Sequence, residues 1–372
     1  MNVEILEVKS RADLKKWVRF PLSHYKDQPN YVPQLTSDEI SYFTPDRNPA
    51  FEVCDVRLFL ASVGGRTVGR VCGIINQLEV EKLGRRVGRF GWFESIDDQA
   101  VADKLLGSVE GWLSDEECEE MTGPHGFSDL DPGGILLDGF DQTPTISGSY
   151  NFPYYARLLG DHGLEKDVDY VEFRVAIEED VPFLQRLRKR LDGYDAYEVV
   201  TCKTKKELLA QADDLWRVLE RAFEPLYGVV PLTDRQTKFY TKQYFSYLDP
   251  DFVKLAHTPG GELVGFFIAI PNLSGAFQKA AGRLFPLGFV HLLREFRNPK
   301  TVDFLLAGSM PDLPSAVSAI GFVHMYDTLL RRGVRFIETN RELETNTTVN
   351  RLWRRMNIVG TRRSRIFKTA LQ

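Results

Sequence analysis

Thr301-Val-Asp-Phe-Leu-Leu-Ala-Gly-Ser-Met-Pro-Asp-Leu-Pro-Ser-Ala-Val317 decides how the rest of this chain is read. Residues 301–307 are a short apolar run with β-branched residues at 301 and 302, which suits a strand, and 308–314 is turn chemistry. A helix is predicted over 315–332, where Val317, Ile320, Val323, Leu329 and Leu330 hold helical spacing. Pro314 is tolerated at its start and Gly333 follows Arg331 and Arg332 as a stop. Residues 334–339 then predict a strand, 346–356 a second helix and 361–369 a closing strand. A strand that turns sharply into a helix leaves several N–H groups aimed at one point, which suits an anion. The same unit serves equally as a plain crossover in a mixed sheet.

This order, with Pro311-Asp312 in the turn and Glu344-x-Asn346-x-x-x-Asn350 opening the second helix, resembles the GNAT-type N-acetyltransferase superfamily. Within it the chain is most similar to a tandem, two-lobed bacterial branch, and the resemblance covers most of the sequence. It implies acetyl-CoA or another acyl-CoA as cofactor, bound by its pyrophosphate at the start of helix 315–332. The positions so implied are Ser315, Val317, Ser318, Ala319, Asn346 and Asn350. The superfamily's usual cradle is Gln or Arg, two residues, Gly, one residue, then Gly or Ala. Pro314, Val317 and Ala319 stand there, and only the last conforms. Valine in place of glycine is expected to narrow the backbone's approach to the pyrophosphate. Many members also carry a tyrosine that protonates the departing thiolate, where this chain has Trp353. An indole N–H gives up no proton at neutral pH.

An internal repeat organises the remainder. Gly65-Arg-Thr-Val68-Gly69 overlays Gly261-Glu-Leu-Val264-Gly265, Leu60-Ala61 overlays Leu255-Ala256, and Asn76 and Asn272 follow at equal distance. Each copy reads as a hairpin. The first continues with a strand at 87–93 and a helix at 98–113 bearing Val101, Leu105, Val109 and Trp112 on one face. The fold class expected is α/β, two tandem GNAT-like lobes at 1–180 and 195–372, each a mixed, mostly antiparallel sheet flanked by helices. Between them, Glu178 to Pro182 interrupts a strand pattern at 170–177. Thr204-x-x-Glu207 and Thr233-x-x-Gln236 are capping boxes for two further helices, the first a long one reaching Phe223.

Residues 123–163 form a long loop with its own turn chemistry, which is uncommon unless it binds something. Asp138, Asp141, Asn151, Tyr154 and Tyr155 supply carboxylate, amide and phenol groups for a polar substrate pocket. The same residues serve equally as caps and core. The second copy has an insert at 276–300, in which Phe277, Leu284, Phe285, Leu287, Phe289, Val290, Leu292, Leu293 and Phe296 alternate with Lys279, Arg283, Arg294 and Arg297. This amphipathic stretch reads as a helical lid or a membrane-surface segment.

Residues 97–141 hold thirteen acidic side chains against Lys104, whereas 331–368 hold eleven basic against three acidic. A phosphorylated ligand therefore favours the second lobe. The partner expected is a small molecule: the basic run lacks interleaved aromatics for stacking nucleic acid, and net charge is −5. Cys54, Cys72, Cys118 and Cys202 show no paired spacing, and the six histidines no metal-ligand pattern, so free thiols and no metal are expected. With no basic leader and no apolar stretch of roughly 18 residues, the expected location is cytoplasmic with no integral membrane segment.

Two functional readings stand. One is an acyl-CoA-dependent N-acyltransferase acting on an amine, in which strand 265–270 offers a backbone N–H to the thioester carbonyl and a carboxylate or water assists deprotonation of the amine. The other is a non-catalytic ligand-binding or sensing protein with a degenerate acetyl-CoA cradle.

Overall fold

The two Val-Gly pairs sit in antiparallel hairpins of identical local register, Ala61 opposite Gly69 and Ala256 opposite Gly265. The computed structural model describes residues 2–245, 247–283 and 288–371. It separates into a first unit, Met1–Val171 with Ser274–His291 and Arg362–Gln372, and a second, Glu172–Leu273 with Leu292–Thr361.

The first unit opens with β1 (Glu4–Glu7), α1 (Arg11–His24), α2 (Thr36–Tyr42), β2 (Cys54–Val63), β3 (Arg66–Asn76) and α3 (Gln77–Leu83). It continues with β4 (Val87–Ser95), α4 (Gln99–Asp115), β5 (Glu120–Gly123), β6 (Ile135–Asp138) and α5 (Tyr155–His162). Strand β7 (Glu165–Ala176) contains the boundary to the second unit, between 171 and 172. There follow α6 (Pro182–Leu191), β8 (Glu198–Val200), α7 (Lys205–Ala210), α8 (Ala212–Phe223), α9 (Asp234–Phe245), β9 (Val253–His257) and β10 (Leu263–Pro271). Helix α10 (Ser274–Ala280) belongs to the first unit, and α11 (Gly288–Arg297) contains a boundary. The last elements are β11 (Thr301–Ser309), α12 (Ser315–Arg331), β12 (Phe336–Thr339), β13 (Glu342–Leu343), α13 (Thr347–Trp353) and β14 (Asn357–Ala370).

Within the first unit the strands run β1-β2-β3-β4-β5-β14, antiparallel except for β4 and β5. Within the second they run β7-β12-β11-β10-β9-β8, antiparallel except for β11 and β12. In both, a helix packs on the hairpin over the Val-Gly glycine. A Cβ at Gly69 would lie 3.3 Å from Val101 Cγ1 of α4, and one at Gly265 3.2 Å from Val317 Cγ1 of α12. Both valines are third in their helices and wholly buried. The expected face of α4, Val101, Leu105, Val109 and Trp112, is the buried one.

Some expectations need correction. The helix announced at Thr204 breaks at Gln211, giving α7 and α8 in place of one long helix. Gln236 and Thr233 do make a reciprocal box at 2.9 and 3.2 Å. The loop 123–163 contains β6 and α5. The division between the units falls inside β7, among its charged residues Asp169, Glu172 and Arg174. Of the insert, Leu284, Phe285 and Leu287 lie outside the described residues. No helix of the described residues is long and apolar enough to cross a membrane.

Candidate functional site

Strand β11 pairs with β12 only over 301–304, opposite 336–339. Beyond it a register shift leaves Leu305 as an extra residue, and 306–309 keep β10 as their strand partner. The Leu305 carbonyl accepts from Asn340 Nδ2 at 3.0 Å. From this one-sided strand end the chain turns through 310–314 into α12. The N-cap of α12 is Pro314, which supplies no side-chain acceptor, so the N–H groups of the first turn have no side-chain cap. Ser315 and Ser318 are exposed around that turn, with Ser318 Oγ 3.4 Å from Ser309 Oγ, and Ala319 is half-buried.

Val317 points the other way, packed with Ala256 and Val264. The expected narrowing of the anion approach by this valine therefore does not occur: the side chain is a core residue under Gly265. The expected carbonyl-polarising N–H on strand 265–270 is also corrected, because β10 is bonded to β9 on one side and β11 on the other. The open edge belongs to β11.

Asn346 and Asn350 hold the backbone beyond β12. Asn346 caps α13, accepting from Val349 N at 3.4 Å. Asn350 is buried and its Nδ2 donates to Leu343 O at 2.9 Å and Glu344 O at 3.2 Å. The segment so fixed carries Glu342, a carboxylate missed by sequence reasoning. Burial pushes it up to about 7, with the nearby Trp353 indole acting in the opposite direction. Trp353 Nε1 nevertheless makes no hydrogen bond of standard geometry, and its ring is wedged edge-on against Phe304 and Phe322. The indole is a core wedge at 1% exposure.

A second constellation lies in the first unit. Glu94 on β4 accepts from the hydroxyls of Tyr25 and Tyr155, the latter at 2.9 Å. Tyr155 Oη also accepts from Ser95 N at 3.1 Å and lies 3.0 Å from His24 Nε2. Arg70 on β3 bonds Glu39 at 3.0 Å and sits 3.8 Å from Glu94, while its buried Nε has no hydrogen-bond partner. Burial raises Glu94 to about 7 against the pull of Arg70 and the two phenols, and lowers His24 to about 4. Tyr31, Glu39, Arg70, Glu94, Tyr150 and Asn151 border a cavity of about 110 Å³. That is room for a few waters or a small ligand group.

The sequence-predicted pocket residues divide here. Asn151 and Tyr155 are buried and Tyr154 half-buried, its hydroxyl donating to Ser95 O at 2.7 Å. The Asn151 amide serves the backbone, accepting from Leu136 N at 2.6 Å and donating to Phe152 O at 2.9 Å. Asp138 and Asp141 are exposed, and Asp138 faces Arg363 at 3.7 Å. Arg70 and Glu94 carry a signal that was overlooked: each is a charge set among apolar strand residues, where an unpaired ion is too costly to bury. The basic 331–368 run is divided between the two units. Arg362, Arg363, Arg365 and Lys368 belong to the first unit, where Asp169 takes Arg363 and Arg365 at 3.3 and 2.7 Å and Asp167 takes Lys368 at 3.4 Å. Among the described residues no cluster of metal-ligating side chains is found.

No family model matches the chain. Among curated proteins it is 25% identical over 366 residues to Protein YghO of Escherichia coli strain K12, covering 96% of this chain and 93% of that one. It is 29% identical over 294 residues to the bacterial ceramide synthase of Caulobacter vibrioides, covering 78% and 76%. Among solved structures it matches a tandem GNAT protein from the clavulanic acid biosynthesis pathway with a TM-score of 0.57 and 12% identity, covering 100% of this chain and 99% of that one. A GCN5-related N-acetyltransferase from Sphaerobacter thermophilus matches at 0.51 and 12% identity, covering 99% and 96%. The chain thus has the GNAT fold, with an end-to-end match to a tandem example.

Proposed function

We propose that the protein is an acyl-CoA-dependent N-acyltransferase whose donor site lies in the second unit, at the end of β11 and the first turn of α12. The observation that carries this reading is the one-sided strand end running into an uncapped helix of 17 residues. First-turn N–H groups that no side chain caps suit a pyrophosphate, and the open edge of 306–309 suits the amides of a pantetheine arm. Glu342 follows the end of β12, which runs parallel to β11, and a carboxyl near 7 suits a base for an ammonium substrate. The amine nitrogen bonds the acyl carbon as the C–S bond breaks. Glu342 takes one proton from the ammonium to free the amine, and the second, released from nitrogen as the amide forms, passes through water to the departing thiolate, since Trp353 offers none.

The relative described as a ceramide synthase supports a long-chain amino alcohol as acceptor, because a ceramide is an amide of such an amine. The test is incubation with palmitoyl-CoA and sphinganine, alongside a panel of shorter amines, with amide product read by mass spectrometry. Product that falls at least a hundredfold in Glu342→Gln is expected. The buried Trp353 favours the second reading, a non-catalytic ligand-binding protein. Acyl-CoA binding with no amide from any amine would establish it.

A further inference from the structure

A polar cavity of about 560 Å³ lies in the second unit, bordered by Thr201, Lys203, Lys254, His324, Asp327 and Arg331, together with Asp249 and Asp251. His324, Asp327 and Arg331 are on the second half of α12. At 1.5 Å per residue, Asp327 is about 18 Å along the helix from Ser315, so this is not the donor turn.

The charges around the cavity are unevenly matched. Three carboxylates line it, but each is engaged by an arginine that is not among its lining residues. Arg332 takes Asp249 at 3.1 Å and Asp251 at 2.6 Å, and Arg188 takes Asp327. Lys203, Lys254 and Arg331 face the same space. Lys254 is 2% exposed, and the partners of its Nζ are neutral oxygens, Thr201 Oγ1 and Asp251 O, both at 2.8 Å. The Arg331 guanidinium is bonded weakly, to Thr328 Oγ1 at 3.5 Å. Three cations and three carboxylates line the basin, and with the carboxylates held by Arg332 and Arg188, Lys203, Lys254 and Arg331 are the charges left facing it. Burial of an ammonium on neutral partners is costly and is relieved by an anion.

We propose that this cavity binds a small dianionic metabolite, a phosphate monoester or a dicarboxylate, between Lys254 and Arg331. The volume falls within the range of ordinary small-molecule sites. His324, which burial keeps below its usual value, is neutral at pH 7 and adds a hydrogen-bond donor. Lys254 is lowered to about 8, mainly by burial and also by Arg331, with Asp251 and Asp249 opposing. An anion favours its charged form, so binding at pH 8 draws a proton from the buffer.

The test is titration calorimetry of the full chain at pH 8 with inorganic phosphate and, separately, succinate, in two buffers of different ionisation heat. Expected are saturable binding of at least one probe and proton uptake. Arg331→Gln, at an exposed position, should weaken binding about tenfold, the loss of one charge-assisted hydrogen bond. Lys254→Met should weaken it and abolish proton uptake. Ser315→Glu at the donor turn should leave it unchanged while weakening coenzyme A, which separates this site from the proposed function. Affinities unaltered in Arg331→Gln, no saturable binding of either probe, or a phosphate response lost only in Ser315→Glu each overturns the proposal.

Discussion

The two helix starts, α4 in the first unit and α12 in the second, are built alike on one side and oppositely on the other. Inward, each places a valine at its third residue beneath the glycine of a hairpin. Outward, α4 is capped by Asp98, whose Oδ1 accepts from Val101 N at 3.2 Å, with Asp97 beside it. Helix α12 begins at Pro314 with no side-chain cap. The first helix start has its own carboxylate in the place an external anion would take, and the second leaves that place open. A shared core thus carries two different surfaces, and the core valine says nothing about ligand affinity.

The largest effects should come from the shared side. Val101→Gly and Val317→Gly each remove a buried side chain and add a helix glycine, and each should cost about 3 kcal/mol in urea unfolding. A gain in coenzyme A affinity for Val317→Gly, as a glycine-requiring cradle demands, would break the comparison. Next, Gly69→Ala should cost about 2 kcal/mol and Gly265→Ala less than half as much. The added Cβ at Gly69 lies 2.6 Å from Leu105 Cδ1 and 2.8 Å from the Glu94 carbonyl, against a closest approach of 3.2 Å at Gly265. Equal losses would mean the two hairpins are packed alike in detail.

Smaller changes address the outward side. Asp98→Ala should lower stability by about 1 kcal/mol through loss of the cap, while Pro314→Asp should be neutral or slightly stabilising yet weaken coenzyme A about tenfold. If Pro314→Asp leaves titrated affinity intact, the donor turn is elsewhere. The mildest test is of pH. Glu94 is raised to about 7 in the folded chain, so between its unfolded value and 7 the native state holds the extra proton. Stability from this group therefore falls as pH rises through that window, and Glu94→Gln should flatten the fall in thermal melts between pH 5 and 8. A mutant with the wild-type slope would show Glu94 to be ionised throughout.

The hairpin register was legible because glycine after valine marks where a helix must come close, and both copies kept it. The first helix face was legible from spacing alone. The course of β7 was not, since a strand pattern was legible only at 170–177 while the strand spans Glu165–Ala176, and only packing divides it between the units. Val317 was misread because matching a glycine pattern gives a position in the sequence but not the direction of a side chain. Tyr155 and Asn151 were legible as inward groups from an unusual loop. Asp138 and Asp141, in the same loop, found solvent instead, where a carboxylate loses nothing. Arg70 and Glu94 could have been singled out as charges within apolar strands, whereas Glu342 is made a candidate by burial, a property of the folded chain that a single letter does not show.

The first unit is discontinuous along the chain, drawing on 1–171, 274–291 and 362–372, and residues 367–370 of β14 pair with β5. A chain made from its N-terminus would have the second unit's segments in hand before the closing strand of the first. Until then β5 waits with an unfilled edge, a state open to pairing with a neighbouring chain. On a ribosome the unit begun first is therefore the one completed last, and its exposure time is set by the rate of elongation as well as by its own folding rate.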